Sequence, residues 1–343
     1  MDNIPNRYRR QVRFTPFGEA GQQRLSESRV LIVGCGALGC VSADLLVRAG
    51  VGFVRIVDRD FVERDNLHRQ VLFTEADAAA QLPKAIAGAA RLAAVNSEVE
   101  IEPIVADVNA SNIRRLAGDV NLIVDGTDNF ETRYLINDFA VENNLPWVFA
   151  GCVGAEGQTL AIVPGKSPCL SCFLPEPPPA SAMPTCETAG VLAPIVSVIA
   201  AYQAMEAIKI CSGNIVAVNP QLTVFDLWNN HVRLINMQAS RRDDCPTCGE
   251  RKFPWLSGER GAAVTQLCGR NSVQISPAND ETVNLVVLAE KLRGVGTVTA
   301  NPYLVRVAVD EFLITVFVDG RTIVGGTEDI SVARTVLAKY VGS

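Results

Sequence analysis

The sequence predicts a doubly wound α/β fold built on a mostly parallel, Rossmann-like sheet, and three observations predict it. Apolar runs of strand length alternate with helical stretches from residue 30 to residue 153, the pattern of parallel βαβ units. The first run opens into Gly34-Cys35-Gly36-Ala37-Leu38-Gly39, where such a sheet makes its phosphate turn. The next run closes on an acidic residue, Asp58.

Each element follows from local chemistry. Residues 30–33 form a short apolar strand, 40–48 a helix ended by Gly50, and 53–57 the second strand. Pro83 suits the first turn of a helix running to about residue 95. Then come strand 99–105, helix 109–117, strand 120–125, helix 130–143 and strand 147–153. Residues 173–190 carry five prolines and read as an exposed loop without secondary structure. A loop of that length in a compact domain is usually functional. An apolar helix follows over 191–210, and strand-like runs at 222–227 and 232–235 close this half.

The 343 residues exceed the ~100–200 typical of one domain. Charged and turn-forming residues cluster over 250–262, so we expect one domain over 1–255 and a small C-terminal α/β domain over 262–343. Within the latter we read strands 272–275, 303–309 and 312–318, with helices at 282–292 and 331–340.

Composition excludes several classes. Hydrophobic residues make up 48% and charged residues 20%, which is globular usage rather than disorder. The net charge of −6 is a poor match to nucleic acid. The charged N-terminus does not resemble a signal peptide. The longest apolar run, 191–201, is short of the ~20 residues that span a bilayer. We therefore expect a cytoplasmic chain with neither nucleic-acid nor membrane partners. In that compartment ten cysteines point to metal binding or catalysis rather than disulfides.

Gly34, Gly36 and Gly39 let backbone N–H groups approach phosphates at a helix N-terminus, and Asp58 stands where a carboxylate holds ribose hydroxyls. The turn alone fits NAD or ATP. Asn66, Arg69, Lys84 and Asp128 favour ATP with Mg²⁺, because a triphosphate needs cations and a metal-binding carboxylate. Cys169-x-x-Cys172 and Cys245-x-x-Cys248 form two knuckles, enough for one closed four-thiolate Zn²⁺ site. Cys186, alone in the proline-rich loop near a helix N-terminus, is a candidate nucleophile. Cys35, Cys40, Cys152 and Cys211 sit in apolar elements and read as small core residues. His68 and His231 read as structural or surface groups.

These residues resemble the ThiF/MoeB family, the bacterial relatives of ubiquitin-activating enzymes, over about residues 6–250. The resemblance runs through Arg7-Tyr8-Arg9-Arg10-Gln11, the glycine turn, Asp58-Arg59-Asp60, Asn66-Leu67-His68-Arg69-Gln70 and Pro83-Lys84-Ala85. It continues through Thr127-Asp128-Asn129, Arg133-Tyr134, both cysteine knuckles, Thr185-Cys186-Glu187 and the segment from Ala204 to Lys209.

The resemblance implies a homodimer that binds Mg·ATP and adenylates the C-terminal glycine of a ubiquitin-like sulfur carrier ending in Gly-Gly. The activated carboxylate would then take sulfur from a cysteine desulfurase or other donor, serving thiamine, molybdopterin or a related thio-metabolite. It assigns Asp58 to the ribose, Asn66, Arg69 and Lys84 to the phosphates, and Asp128 to Mg²⁺. It assigns Arg10 to the partner subunit's site, Cys186 to a covalent link with the carrier, and the four knuckle cysteines to zinc. Adenylation of a peptide carboxylate and NAD(P)-dependent oxidoreduction are the alternative readings.

Overall fold

Strand β1 (Arg29–Val33) shows how the larger unit is built, because its side chains alternate between two cores. Val30 and Ile32 enter one hydrophobic cluster, Leu31 and Val33 the other. A strand buried on both faces is the mark of a sheet covered by helices on both sides.

The computed structural model describes residues 6–178, 186–260, 264–267, 271–275 and 282–342. Two short N-terminal helices, α1 (Arg9–Val12) and α2 (Gly18–Glu27), precede β1. The chain continues through α3 (Ala37–Ala49), β2 (Phe53–Asp58), α4 (Glu75–Ala79), α5 (Lys84–Val95) and β3 (Glu100–Val105). Then follow α6 (Ile113–Ala117), β4 (Leu122–Asp125), α7 (Phe130–Glu142), β5 (Trp147–Val153) and β6 (Glu156–Ile162). After α8 (Leu170–Phe173) and α9 (Cys186–Ala189), the long helix α10 (Ala193–Cys211) leads to β7 (Gln221–Asp226) and β8 (His231–Asn236).

The eight strands lie in the order β3-β2-β1-β4-β5-β6-β7-β8. Four neighbouring pairs, from β3 to β5, are parallel, and the three that add β6, β7 and β8 are antiparallel. Helices α3, α5 and α10 cover one face, and α6 and α7 the other. By length and composition α10 could cross a bilayer, but 56% of its apolar window is buried, and it packs on α3, β5 and β6 as a core helix.

Three local readings of the sequence are corrected. The proline-rich stretch is not devoid of secondary structure, because Cys186–Ala189 forms a helical turn; its residues 179–185, Thr185 among them, lie outside the described residues. Val191 does not begin a helix. It bridges to Gly154, and α10 starts at Ala193 with Pro194 in its first turn, where a missing N–H costs nothing. Residues 109–112 form a turn ahead of α6, closed by Asn112 Oδ1 accepting from the Asn109 N–H at 3.0 Å.

Chain contacts divide the molecule into Met1–Arg260 and Gly261–Ser343. In the second unit β9 (Val264–Leu267), β10 (Ser272–Ile275), α11 (Leu285–Leu292), β11 (Thr297–Ala300), β12 (Leu304–Val309), β13 (Phe312–Phe317), β14 (Thr322–Gly325) and α12 (Ile330–Tyr340) build a sheet and two helices. The sheet order is β11-β12-β13-β14-β10-β9 and every pair is antiparallel. Tight turns enforce this: Asp310 at φ +50° and Gly320 at φ +80° reverse the chain between consecutive strands. Cys268 falls outside the described residues.

Candidate functional site

In a doubly wound sheet, ligands bind beyond the carboxyl ends of the strands where the strand order reverses. Here β1 lies between β2 and β4, so its turn is at that reversal. Gly34 has φ +89°, and a Cβ there would stand 2.6 Å from the Gly126 carbonyl oxygen. A Cβ on Gly39 would stand 1.8 Å from the Gly34 carbonyl oxygen. Gly36 caps α3. The glycines thus let the turn close tightly against the end of β4, with helix N–H groups facing the crevice.

Asp58 is buried at the end of β2. Its oxygens accept from the Cys35 N–H at 2.6 Å and the Asp60 N–H at 2.7 Å, so it ties the glycine turn to its own strand. Burial raises its carboxyl above the ordinary range, against the pull of Lys84. A carboxylate has about four acceptor positions, and two N–H bonds leave capacity for hydroxyl donors. Lys84, at the start of α5, is buried and pairs with Asp60 at 3.2 Å.

The segment after β2 turns back so that Asn66 is buried and Arg69 half-buried. Asn66 donates to Asp65 Oδ1 at 2.5 Å and accepts from Gln70 Nε2 at 3.0 Å. Gln70 Oε1 is buried with no hydrogen-bond partner among the described residues. Arg69 Nη1 donates to the Asp65 carbonyl at 2.9 Å.

Asp128 is exposed beyond β4, on a loop fixed from behind. Asp125 is fully buried and pairs with Arg133 Nε at 3.0 Å. Arg133 Nη2 also donates to the Thr127 and Ala150 carbonyls, both at 2.9 Å. Gln203 of α10 donates to the Asp125 carbonyl at 2.7 Å. Arg133 and Gln203 had no site role in the sequence reading. The signal that could have found them is a cation and an amide within apolar helices, where a polar group needs a buried partner.

Arg10 is exposed on α1 and is not brought into this crevice. The preceding turn packs at the opposite end of the sheet: Tyr8 lies against Gly50 at the end of α3 and accepts from Asn96 beyond α5. Cys186 opens α9, and its side chain lies outside the described residues. The chain just after α9 is pinned to the carboxyl end of β5, where the Gly154 N–H donates to the Gly190 carbonyl at 2.8 Å.

The four knuckle cysteines converge. All their sulfurs lie within 4.8 Å of one another, and three pairs stand at 3.9, 3.7 and 3.4 Å. Zinc–sulfur bonds of about 2.3 Å at tetrahedral angles place sulfurs about 3.8 Å apart, so the donor set and its spacing fit Zn²⁺. Its hydrogen bond with Cys169 brings the Cys172 thiol down to about 5, and another with Cys169 brings Cys248 to about 7. Asp138 braces this region from α7, accepting from Trp255 N–H at 3.0 Å and Thr247 Oγ1 at 3.2 Å. Of the cysteines read as core, Cys35, Cys40 and Cys211 are buried and Cys152 is half-buried.

Comparison with known proteins gives a consistent picture. The ThiF family model matches residues 8–247. The "Sulfur carrier protein ThiS adenylyltransferase" of Bacillus subtilis is 44% identical over 340 residues, covering 99% of this chain and all of that protein. The "Sulfur carrier protein adenylyltransferase" of Thermus thermophilus is 37% identical, covering 71% of this chain and 91% of its own length. The pig "Adenylyltransferase and sulfurtransferase MOCS3" is 38% identical over 82% of this chain, which spans 61% of that protein. Among solved structures, E. coli MccB with ATP is similar at a TM-score of 0.62 and 26% identity, over 72% of this chain and 75% of that one.

Proposed function

The chain belongs to the ThiF family, and from that premise we propose that it is an ATP-dependent adenylyltransferase for the C-terminal glycine of a ubiquitin-like sulfur carrier. The product serves sulfur transfer in thiamine, molybdopterin or related biosynthesis. One observation carries this reading: the glycine turn, Asp58 and Asp128 stand at the carboxyl ends of three adjacent strands, β1, β2 and β4.

The turn's N–H groups and the N-terminus of α3 receive the phosphates, and Asp58 accepts from the ribose hydroxyls. Lys84, Arg69 and Asn66 orient and neutralise the triphosphate. The exposed carboxylate of Asp128 is a hard oxygen donor of the kind Mg²⁺ takes alongside nucleotide phosphates, and Mg²⁺ held there would supply charge neutralisation. The carrier's carboxylate attacks the α-phosphorus, the bond to the bridging oxygen breaks, and pyrophosphate leaves. Positioning and charge account for catalysis, since no covalent help from the protein is needed.

Cys169, Cys172, Cys245 and Cys248 hold a structural Zn²⁺, closed to substrate by its four thiolates. In a homodimer Arg10 serves the other subunit's site. Cys186 forms a covalent link with the carrier when its thiol attacks the acyl adenylate, making a thioester as AMP leaves, and a cysteine desulfurase or similar donor supplies the sulfur.

Carrier-dependent ATP–pyrophosphate exchange, run with a panel of Gly-Gly-ended sulfur carriers, tests the reading. Exchange with one carrier is expected and identifies the pathway. Exchange with a short peptide instead would favour peptide-carboxylate activation, and no exchange with any of them would overturn the assignment.

A further inference from the structure

The strand ends form a line in sheet order. Asp107 stands just beyond β3, Asp58 ends β2, the glycine turn follows β1, and Asp128 lies just beyond β4. Resting on the ATP reading above, phosphates on the turn and ribose on Asp58 set a direction from β1 to β2. Neighbouring strands are about 4.8 Å apart, so the nucleobase continues that line to the end of β3.

What stands there is a cation with a carboxylate behind it. Arg59 follows Asp58 and donates through Nη1 to both Asp107 oxygens, at 3.3 and 3.4 Å. Both side chains remain between a fifth and a quarter exposed, so a ligand can reach them. Burial alone would weaken the guanidinium's hold on its proton; Asp107, Asp60, Asp128 and Asp58 more than reverse this.

We propose that the Arg59–Asp107 pair reads the nucleobase and selects adenine over the 6-oxo purines. A guanidinium plane offers a stacking face to a purine. The Asp107 carboxylate accepts from the exocyclic amine of adenine, whereas guanine and hypoxanthine turn the acceptor O6 toward it. Asp107 also engages the guanidinium that would otherwise fork onto guanine O6 and N7.

The test is calorimetric titration of the full-length protein, with Mg²⁺, against ATP, ITP and GTP. We expect ATP to bind at least about tenfold more tightly than either 6-oxo nucleotide, the discrimination one well-placed base contact gives. Asp107→Asn, whose amide can donate to O6, should pull the ATP-to-ITP ratio toward unity. Equal affinity of the wild type for ATP and ITP would overturn the proposal, as would an unchanged ratio in a folded Asp107→Asn protein. Should that variant not fold, the wild-type series decides alone. No binding of ATP at all would instead overturn the ATP reading, and this inference with it.

Discussion

Asp128 reaches solvent from a loop held from behind by buried polar groups. Asp125 and Arg133 form the central anchor, and Gln203 adds a bond from the opposite face of the sheet. Asp128→Ala and Arg69→Ala leave these anchors intact. Each should therefore lower pyrophosphate exchange at least about 100-fold with an unchanged unfolding midpoint; exchange near the wild-type rate would remove the assignment. A second effect belongs to Asp138, whose carboxyl burial pushes up from 3.8 to about 6. The folded chain then binds this proton more tightly than the unfolded chain. The stabilising contribution is full below about pH 4 and is lost as pH rises through about 6. Urea midpoints across that range should fall with pH in the wild type and be flatter in Asp138→Asn; identical slopes would refute this. The glycines and Asp58 were legible in the sequence because their chemistry depends on spacing along one βαβ unit. Arg133 and Gln203 were not, because a buried polar side chain is explained by partners that only the fold brings near.

At the scale of elements, the two cysteine knuckles brace segments far apart in the chain. Cys169 and Cys172 flank and enter α8, and Cys245 and Cys248 lie beyond β8, yet their sulfurs meet. A four-thiolate zinc site contributes folding energy directly, so chelation should release one Zn²⁺ per chain and lower the melting temperature. A metal-free protein of unchanged stability would contradict this. The crossover ahead of α10 is a separate device, tied down at Gly154 and Gly190. Cys186→Ser should preserve exchange and abolish any carrier adduct in the mass spectrum; an adduct that persists would exclude the thiol. Strands with apolar runs were readable, whereas β6, with Glu156, Gln158 and Thr159 interrupting its pattern, was not. The extra turn α9 was hidden among prolines. Strand direction in the C-terminal unit likewise depended on turns at Asp310 and Gly320 rather than on strand composition.

For the molecule as a whole, the decisive feature is that Arg10 belongs to the end of the sheet away from its own crevice. The Tyr8 contacts with Gly50 and Asn96 fix that end, as does the Arg7 Nη1 bond to the Val95 carbonyl at 3.0 Å. In the proposed homodimer, a guanidinium held there would serve the phosphates of the other copy, as an arginine finger supplied across a two-fold interface. The mixing of two inactive proteins tests this. Arg10→Ala retains Asp128 but offers no finger, and Asp128→Ala offers the finger but lacks the carboxylate. In mixed dimers one of the two sites has both groups if the finger acts across the interface, and neither site has both if it acts within its own chain. After subunit exchange at equal amounts, half the dimers are mixed, and exchange activity should recover to about a quarter of the wild-type value. No recovery, with subunit exchange verified independently, would place Arg10 in its own chain's site or outside the reaction.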